Sequence, residues 1–218
     1  KQRCYSETSR KHINHPIIMN EILVLYYSKY GSTETLAREI CSGVDSIEGI
    51  SSKIRTVPPI SALHETTGTD IPERGPPYID KQDLYDCDGL VLGSPCRFGN
   101  MAAELKYFLD STSNEWLNNT LAGKPAGLFT SSKSQHGGQE STLLTMAIPL
   151  LHHGMLITGI PYSEKALSTT SSGGTPYGPS HVSSNQSNDV LTDEEIILAR
   201  SLGARIAKIA IQLNSSRS

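Results

Sequence analysis

From Glu21 onward the chain alternates short apolar runs with segments whose apolar residues recur every three or four positions. Ile22-Leu23-Val24-Leu25-Tyr26-Tyr27 is apolar without a break, the pattern of a strand covered on both faces. Leu36, Ala37, Ile40, Cys41 and Val44 then share one side of a helix predicted over 33–44. A weaker strand is predicted over 51–57, and a loop rich in Pro, Gly and Thr over 58–83. A third buried strand follows at Gly89-Leu90-Val91-Leu92-Gly93, with a helix from Met101 to Leu109. Beyond these come a fourth strand over 126–130, a helix over 139–153 and a short fifth strand over 155–159. After a Ser/Thr/Gly/Pro stretch over 168–188, Thr192 and Glu195 have the spacing of a capping box. They open a last helix whose apolar positions run from Ile196 to Leu213.

Five short apolar strands alternating with helices predict an α/β fold, a doubly wound five-stranded parallel sheet with helices on both faces. Ligands of such sheets sit outside the carboxyl ends of the strands, where the strand order reverses. The loops after strands one, three and four are therefore where the chemistry is expected.

Composition narrows the class. The 218 residues suit a domain of ordinary to large size, and 37% are hydrophobic, enough for a real core. A net charge of -3 supplies no global basic field for nucleic acid or an anionic membrane. The apolar runs are far shorter than the roughly 20 residues that span a bilayer. Cys4, Cys41, Cys87 and Cys96 form no C-x-x-C, which fits a reducing, cytoplasmic setting. Residues 1–18 are basic and carry no apolar stripe, so they are expected to be a dispensable leader before a domain spanning 19–214 and a tail at 215–218. His12 and His15 lie in that leader and are read as an incidental pair, with no metal site expected.

The three loops share a chemistry. Ser28-Lys29-Tyr30-Gly31-Ser32-Thr33 is rich in hydroxyls and opens directly into a helix, whose free N–H groups suit a phosphate. It has neither the Walker pattern nor G-x-G-x-x-G, and an ordinary Ser/Thr cap is the plain alternative. Cys96-Arg97-Phe98, bracketed by Pro95 and Gly99, forms a stiff corner on which a planar aromatic ligand can stack, with Arg97 beside its developing negative charge. Phe98 filling the strand–helix junction is the alternative. Ser131-Ser132-Lys133-Ser134-Gln135-His136-Gly137 offers a second arc of hydroxyls and pliable backbone.

With these loops in view, five segments resemble the WrbA family of flavodoxin-like NAD(P)H:quinone oxidoreductases. They are Tyr27-Ser28-Lys29-Tyr30-Gly31, the run from Gly93 to Met101 containing Arg97-Phe98-Gly99-Asn100-Met101, His136-Gly137-Gly138-Gln139-Glu140, His152-His153-Gly154-Met155 and Gly173-Gly174-Thr175-Pro176-Tyr177-Gly178. The resemblance runs from about Met19 to Asn214. It implies a strand order of 2-1-3-4-5, and FMN with its phosphate in the loop Ser28 to Thr33. It also implies a flavin ring against Cys96, Arg97 and Phe98, and a third loop from Ser131 to Gly137 closing over the other side. Further implications are a nicotinamide nucleotide near Tyr30, a quinone beside Trp116 and His152 at the flavin. Members resemble one another in forming homotetramers, with a dimer in equilibrium, whose pockets neighbouring subunits complete. Lys133 departs from the family's usual Gly, which would strain a loop needing positive φ, and Cys96 departs from its usual Thr.

The reaction so implied is ping-pong: NADH or NADPH gives a hydride to N5 of FMN and leaves, then a quinone takes two electrons in the same place. Arg97 and His152 are the candidates for polarising quinone oxygens. The alternatives are a flavodoxin-type electron carrier and a regulatory binding protein, neither with turnover of its own.

Overall fold

The structure, a computed structural model, describes residues 20–61, 75–183 and 190–216. The expected leader, with Cys4, His12 and His15, lies outside the described residues. Six strands, β1 (Asn20–Tyr26), β2 (Ile50–Thr56), β3 (Gly89–Pro95), β4 (Pro125–Ser132), β5 (Leu156–Ile157) and β6 (Ser180–Val182), form one sheet. The longer helices are α1 (Ser32–Asp45), α3 (Ala103–Asp110), α5 (Gln139–His152) and α7 (Asp193–Ser215), with short helices α2 (Lys81–Asp86), α4 (Ser113–Leu117) and α6 (Ala166–Thr169) between them. Strand order is β2-β1-β3-β4-β5, and the pairs are parallel.

The expected count of five strands needs one correction. β5 pairs with Pro125 and Ala126 at the start of β4, whereas β6 pairs with Thr130, Ser131 and Ser132 at its end. The fifth position is thus split between two short strands separated by an excursion from Thr158 to Pro179. Pro, Gly and Ser in that stretch hide the returning strand from a pattern search. A second correction falls in the predicted loop over 58–83. Its end is helix α2, capped by Asp80 and closed by Asp83, an acidic version of the capping box. α4 and α6 are likewise one-turn helices too short to show periodicity.

The unbroken apolar run of β1 has a direct explanation. Ile22, Val24 and Tyr26 enter a core under α1 and α7, while Leu23, Leu25 and Tyr27 enter a second core under α3 and α5. Both layers must be dry, so both sets must be apolar. α1 and α7 cross closely. A Cβ on Gly43 would stand 2.1 Å from the Arg200 carbonyl oxygen, and one on Gly203 would stand 2.2 Å from that of Ile40. Only hydrogen fits at those two positions, so α7 packs directly on the backbone of α1.

Candidate functional site

The first loop leaves β1 at its carboxyl end and turns into α1 through Gly31, which has φ +99 and caps the helix without a side chain. An ordinary hydroxyl cap is therefore not what the serines and threonines do. Instead the Gly31 N–H donates to Ser28 Oγ at 3.0 Å, curling the loop. Ser32 and Thr33 lie in the first turn and are buried. A helix start left without a side-chain cap and ringed by hydroxyls fits a phosphate by the chemistry of its donors.

The second corner is a tight turn. Arg97 and Asn100 exchange backbone hydrogen bonds at 2.8 and 3.0 Å, with Phe98 at φ +53 and Gly99 at φ +75 between them. This is the geometry of a type I′ turn, which places a non-glycine residue in the left-handed region at some cost. The Phe98 ring does not fill the strand–helix junction; it is fully exposed at the tip. The Ser94 hydroxyl accepts from the Ala102 N–H at 2.8 Å and fixes the corner's base.

The third loop leaves β4 and reaches α5 through Gly138, again a left-handed glycine cap with no side-chain bond. It grips both neighbours. Thr33 Oγ1 and Ser131 Oγ are 2.9 Å apart, the Cys96 N–H donates to the Ser131 carbonyl at 2.8 Å, and the Cys96 thiol donates to the Gly137 carbonyl at 2.9 Å. Thiol in place of the usual hydroxyl thus still acts as a donor. Lys133 shows no positive φ, so the strain expected at that departure is absent. Its ammonium instead stands 5.9 Å from the Tyr30 ring centroid, with the Lys29 ammonium 5.7 Å away. Ser132 donates to the Ser134 carbonyl at 2.7 Å, and Gln135 donates to the Ser171 carbonyl at 3.2 Å. His136 is exposed at the loop tip.

Not every predicted site residue joins this cluster. Trp116 and His152 touch each other, the indole N–H donating to the His152 carbonyl at 2.8 Å. They sit at the far end of α5, whose 14 residues at about 1.5 Å each put them roughly 20 Å from the third loop of their own chain, whereas Asn100 of the second corner reaches Thr145, midway along that helix, at 3.3 Å. They line a 440 Å³ groove with Thr112, Ile148, Pro149 and His153. The adjoining His153 is the more enclosed of the pair: burial pushes its imidazole below the ordinary range, against the pull of Glu115, and Thr112 Oγ1 lies 3.0 Å from its Nε2.

One contributor is missing from the sequence-based set. Ser183, directly after β6, donates from its N–H to the Ser132 carbonyl at 2.7 Å and from its hydroxyl to Ser32 Oγ at 2.8 Å. The only sequence signal for it is the short Ser180-His181-Val182 run inside an otherwise loop-like stretch.

A parallel sheet of this order, with three loops converging where the order reverses between β1 and β3, defines the flavodoxin-like class of α/β fold. A family model described as NADPH-dependent FMN reductase matches residues 22–166. An NAD(P)H dehydrogenase (quinone) of Trichlorobacter lovleyi is 37% identical over 204 residues, covering 90% of this chain and 100% of that protein. Another of that name, from Chromohalobacter salexigens, is 39% identical over 199 residues, 89% of this chain and 99% of its own. Among solved structures, a flavodoxin-type, WrbA-like protein of Agrobacterium tumefaciens superposes with a TM-score of 0.60 at 23% identity, over 88% of this chain and 98% of that one. The chain belongs to the NADPH-dependent FMN reductase family, and its relatives at 37–39% identity are NAD(P)H dehydrogenases (quinone).

Proposed function

We propose that this protein reduces quinones with electrons from NADH or NADPH, using FMN as its cofactor. The observation that carries this reading is the lock of three loops through Ser131, whose hydroxyl meets Thr33 and whose carbonyl receives the Cys96 N–H. FMN, when bound, supplies hydride acceptance and two-electron delivery. The chain supplies placement and charge. Ser28, Lys29, Tyr30, Gly31, Ser32 and Thr33 hold the phosphate end, with the α1 backbone N–H groups as donors. Cys96, Arg97 and Phe98 take one side of the ring system, and Ser131, Ser132, Lys133, Ser134, Gln135, His136 and Gly137 close the other. The exposed Tyr30 ring, flanked by its two lysines, receives the nicotinamide nucleotide, whose phosphates those cations favour.

Trp116 and His152 act in this reading on the flavin of a neighbouring copy. Two features support that. The pair lies about 20 Å from the third loop of its own chain, and the α5 face around it exposes Leu144, Ile148 and Leu151 beside Trp116, Leu117 and the edge strand β5, an apolar surface that a second copy would cover. A homotetramer meets both needs. Within it Trp116 would line the quinone side, and His152 with Arg97 would donate to quinone oxygens as negative charge develops there. The cytoplasm is the proposed setting, since Cys41, Cys87 and Cys96 are free thiols. Among the described residues no helix is long and apolar enough to cross a membrane.

The test is oxidation of NADH and NADPH by FMN-loaded protein with benzoquinone as acceptor. Sustained turnover is expected. Tight FMN binding without turnover would favour an electron carrier instead.

A further inference from the structure

Far from the loops in sequence, the start of α7 contains a carboxylate that no step above uses. Glu195 is completely buried, yet its oxygens are fully engaged. Oε1 accepts from the Ser172 hydroxyl at 2.9 Å, the Gly173 N–H at 2.9 Å and the Val182 N–H at 3.2 Å. Oε2 lies 2.8 Å from His181 Nδ1 and accepts from the Thr192 N–H at 3.0 Å. Burial alone would push this carboxyl upward, but the His181 contact and the Thr192 and Gly173 N–H groups outweigh it and hold it below the usual range. One anion thus ties together the turn at 172–173, strand β6 and the cap of α7. A simple capping glutamate needs only the Thr192 contact. The remaining donors all come from β6 and the turn that feeds it.

What β6 does explains the arrangement. His181 and Val182 lie opposite Ser131 and Ser132 of the third loop's root, and Ser183 beyond them reaches Ser32 in the first turn of α1. The strand has only three residues, too few to hold its register unaided. Gly173 also has no alternative: a Cβ there would stand 1.9 Å from the Ser180 carbonyl oxygen and 2.6 Å from Glu195 Oε1.

We propose that Glu195 and His181 are positioning residues for the phosphate end of FMN, acting through β6 and the Ser183–Ser32 hydrogen bond. The pair clamps β6 to the end of β4, β6 delivers the Ser183 hydroxyl, and that hydroxyl fixes Ser32 Oγ where the phosphate binds. The inference rests on the FMN reading above and adds residues that the three loops do not contain. It makes a specific demand: loosening the clamp weakens recognition of the phosphate far more than recognition of the ring, which β6 reaches only through the root of the third loop.

FMN and riboflavin differ only in that phosphate, so their two affinities separate the possibilities. Dissociation constants for both are measured by flavin fluorescence on wild type, Glu195→Gln, His181→Gln and Ser183→Ala. The expected result is a loss of about tenfold in FMN affinity in each variant, the worth of one good hydrogen bond, with a much smaller change in riboflavin affinity. Parallel loss of both affinities, or loss of neither, overturns the proposal. If Glu195→Gln does not fold, Ser183→Ala, which removes only the last link, decides between the same two outcomes. A wild type that binds neither flavin overturns the FMN reading as well, which distinguishes the two failures.

Discussion

Thr33 Oγ1 and Ser131 Oγ stand 2.9 Å apart in a buried contact between residues 98 positions apart in the chain. That bond joins the loop after β1 to the loop after β4 across the end of β3, so the two arcs of hydroxyls face a common space. Thr33→Val and Ser131→Ala should therefore interact. A double-mutant cycle on urea unfolding is expected to give a coupling of about 1 kcal/mol, and each single variant should raise the FMN dissociation constant. Additive effects in both measurements would mean that the loops are placed independently.

The α1–α7 crossing makes a sharper demand. Gly43→Ala and Gly203→Ala each drive a methyl group into backbone carbonyl oxygen, which no side-chain rotation relieves. Each should cost about 1–3 kcal/mol in urea unfolding, and FMN affinity should fall with it because α1 follows directly on the loop proposed to hold the phosphate. Wild-type stability in either variant would show that the helices are not so closely set.

Much of this architecture is legible in the sequence because both faces of the sheet are dry. Short apolar runs such as Ile22 to Tyr27 have the pattern of strands buried on both faces, and the loops that follow strands one, three and four could be singled out at once. What escaped has physical causes. The split fifth position contains only two and three strand residues, below the length at which periodicity shows. The Asp80–Asp83 cap of α2 uses a carboxylate where the sequence rule looks for Ser or Thr followed by Glu or Gln. Within the site, the motif residues from Ser28 to Gly137 come together, whereas the separation of Trp116 and His152 from them follows from the length of α5, which a motif does not reveal. Ser183 escaped because its partner, Ser32, lies 151 positions away.

Acid sensitivity should come in two stages. His153 is held by burial below its ordinary value, so between that value and the folded one the unfolded chain binds the extra proton. Its contribution is complete above about pH 6.5 and declines as pH falls. Asp83 and Glu195 are buried too, but hydrogen bonds keep both carboxyls below their ordinary range: Asp80, Arg55 and Lys53 for the first, His181, Thr192 and Gly173 for the second. Their contribution is present above about pH 4 and is lost below it. Urea midpoints measured against pH should show both declines. His153→Gln should remove the first and leave the second.

Subunit complementation tests the placement of Trp116. A Thr33→Asp chain, whose carboxylate opposes the flavin phosphate, and a Trp116→Ala chain should each be poor quinone reductases. Co-expressed, they should regain part of the wild-type rate, since some pockets then combine an intact phosphate loop with an intact indole from a neighbour. No recovery would place the quinone side within a single chain.

The central claim is that the loops at Ser28–Thr33, Cys96–Phe98 and Ser131–Gly137 hold one FMN between them, and titrating FMN with the purified protein measures this directly. Flavin fluorescence should be quenched to saturation at one FMN per chain, with wild-type binding much tighter than that of Thr33→Asp. Fluorescence that stays at the level of free FMN, or quenching equal in the two proteins, would contradict it.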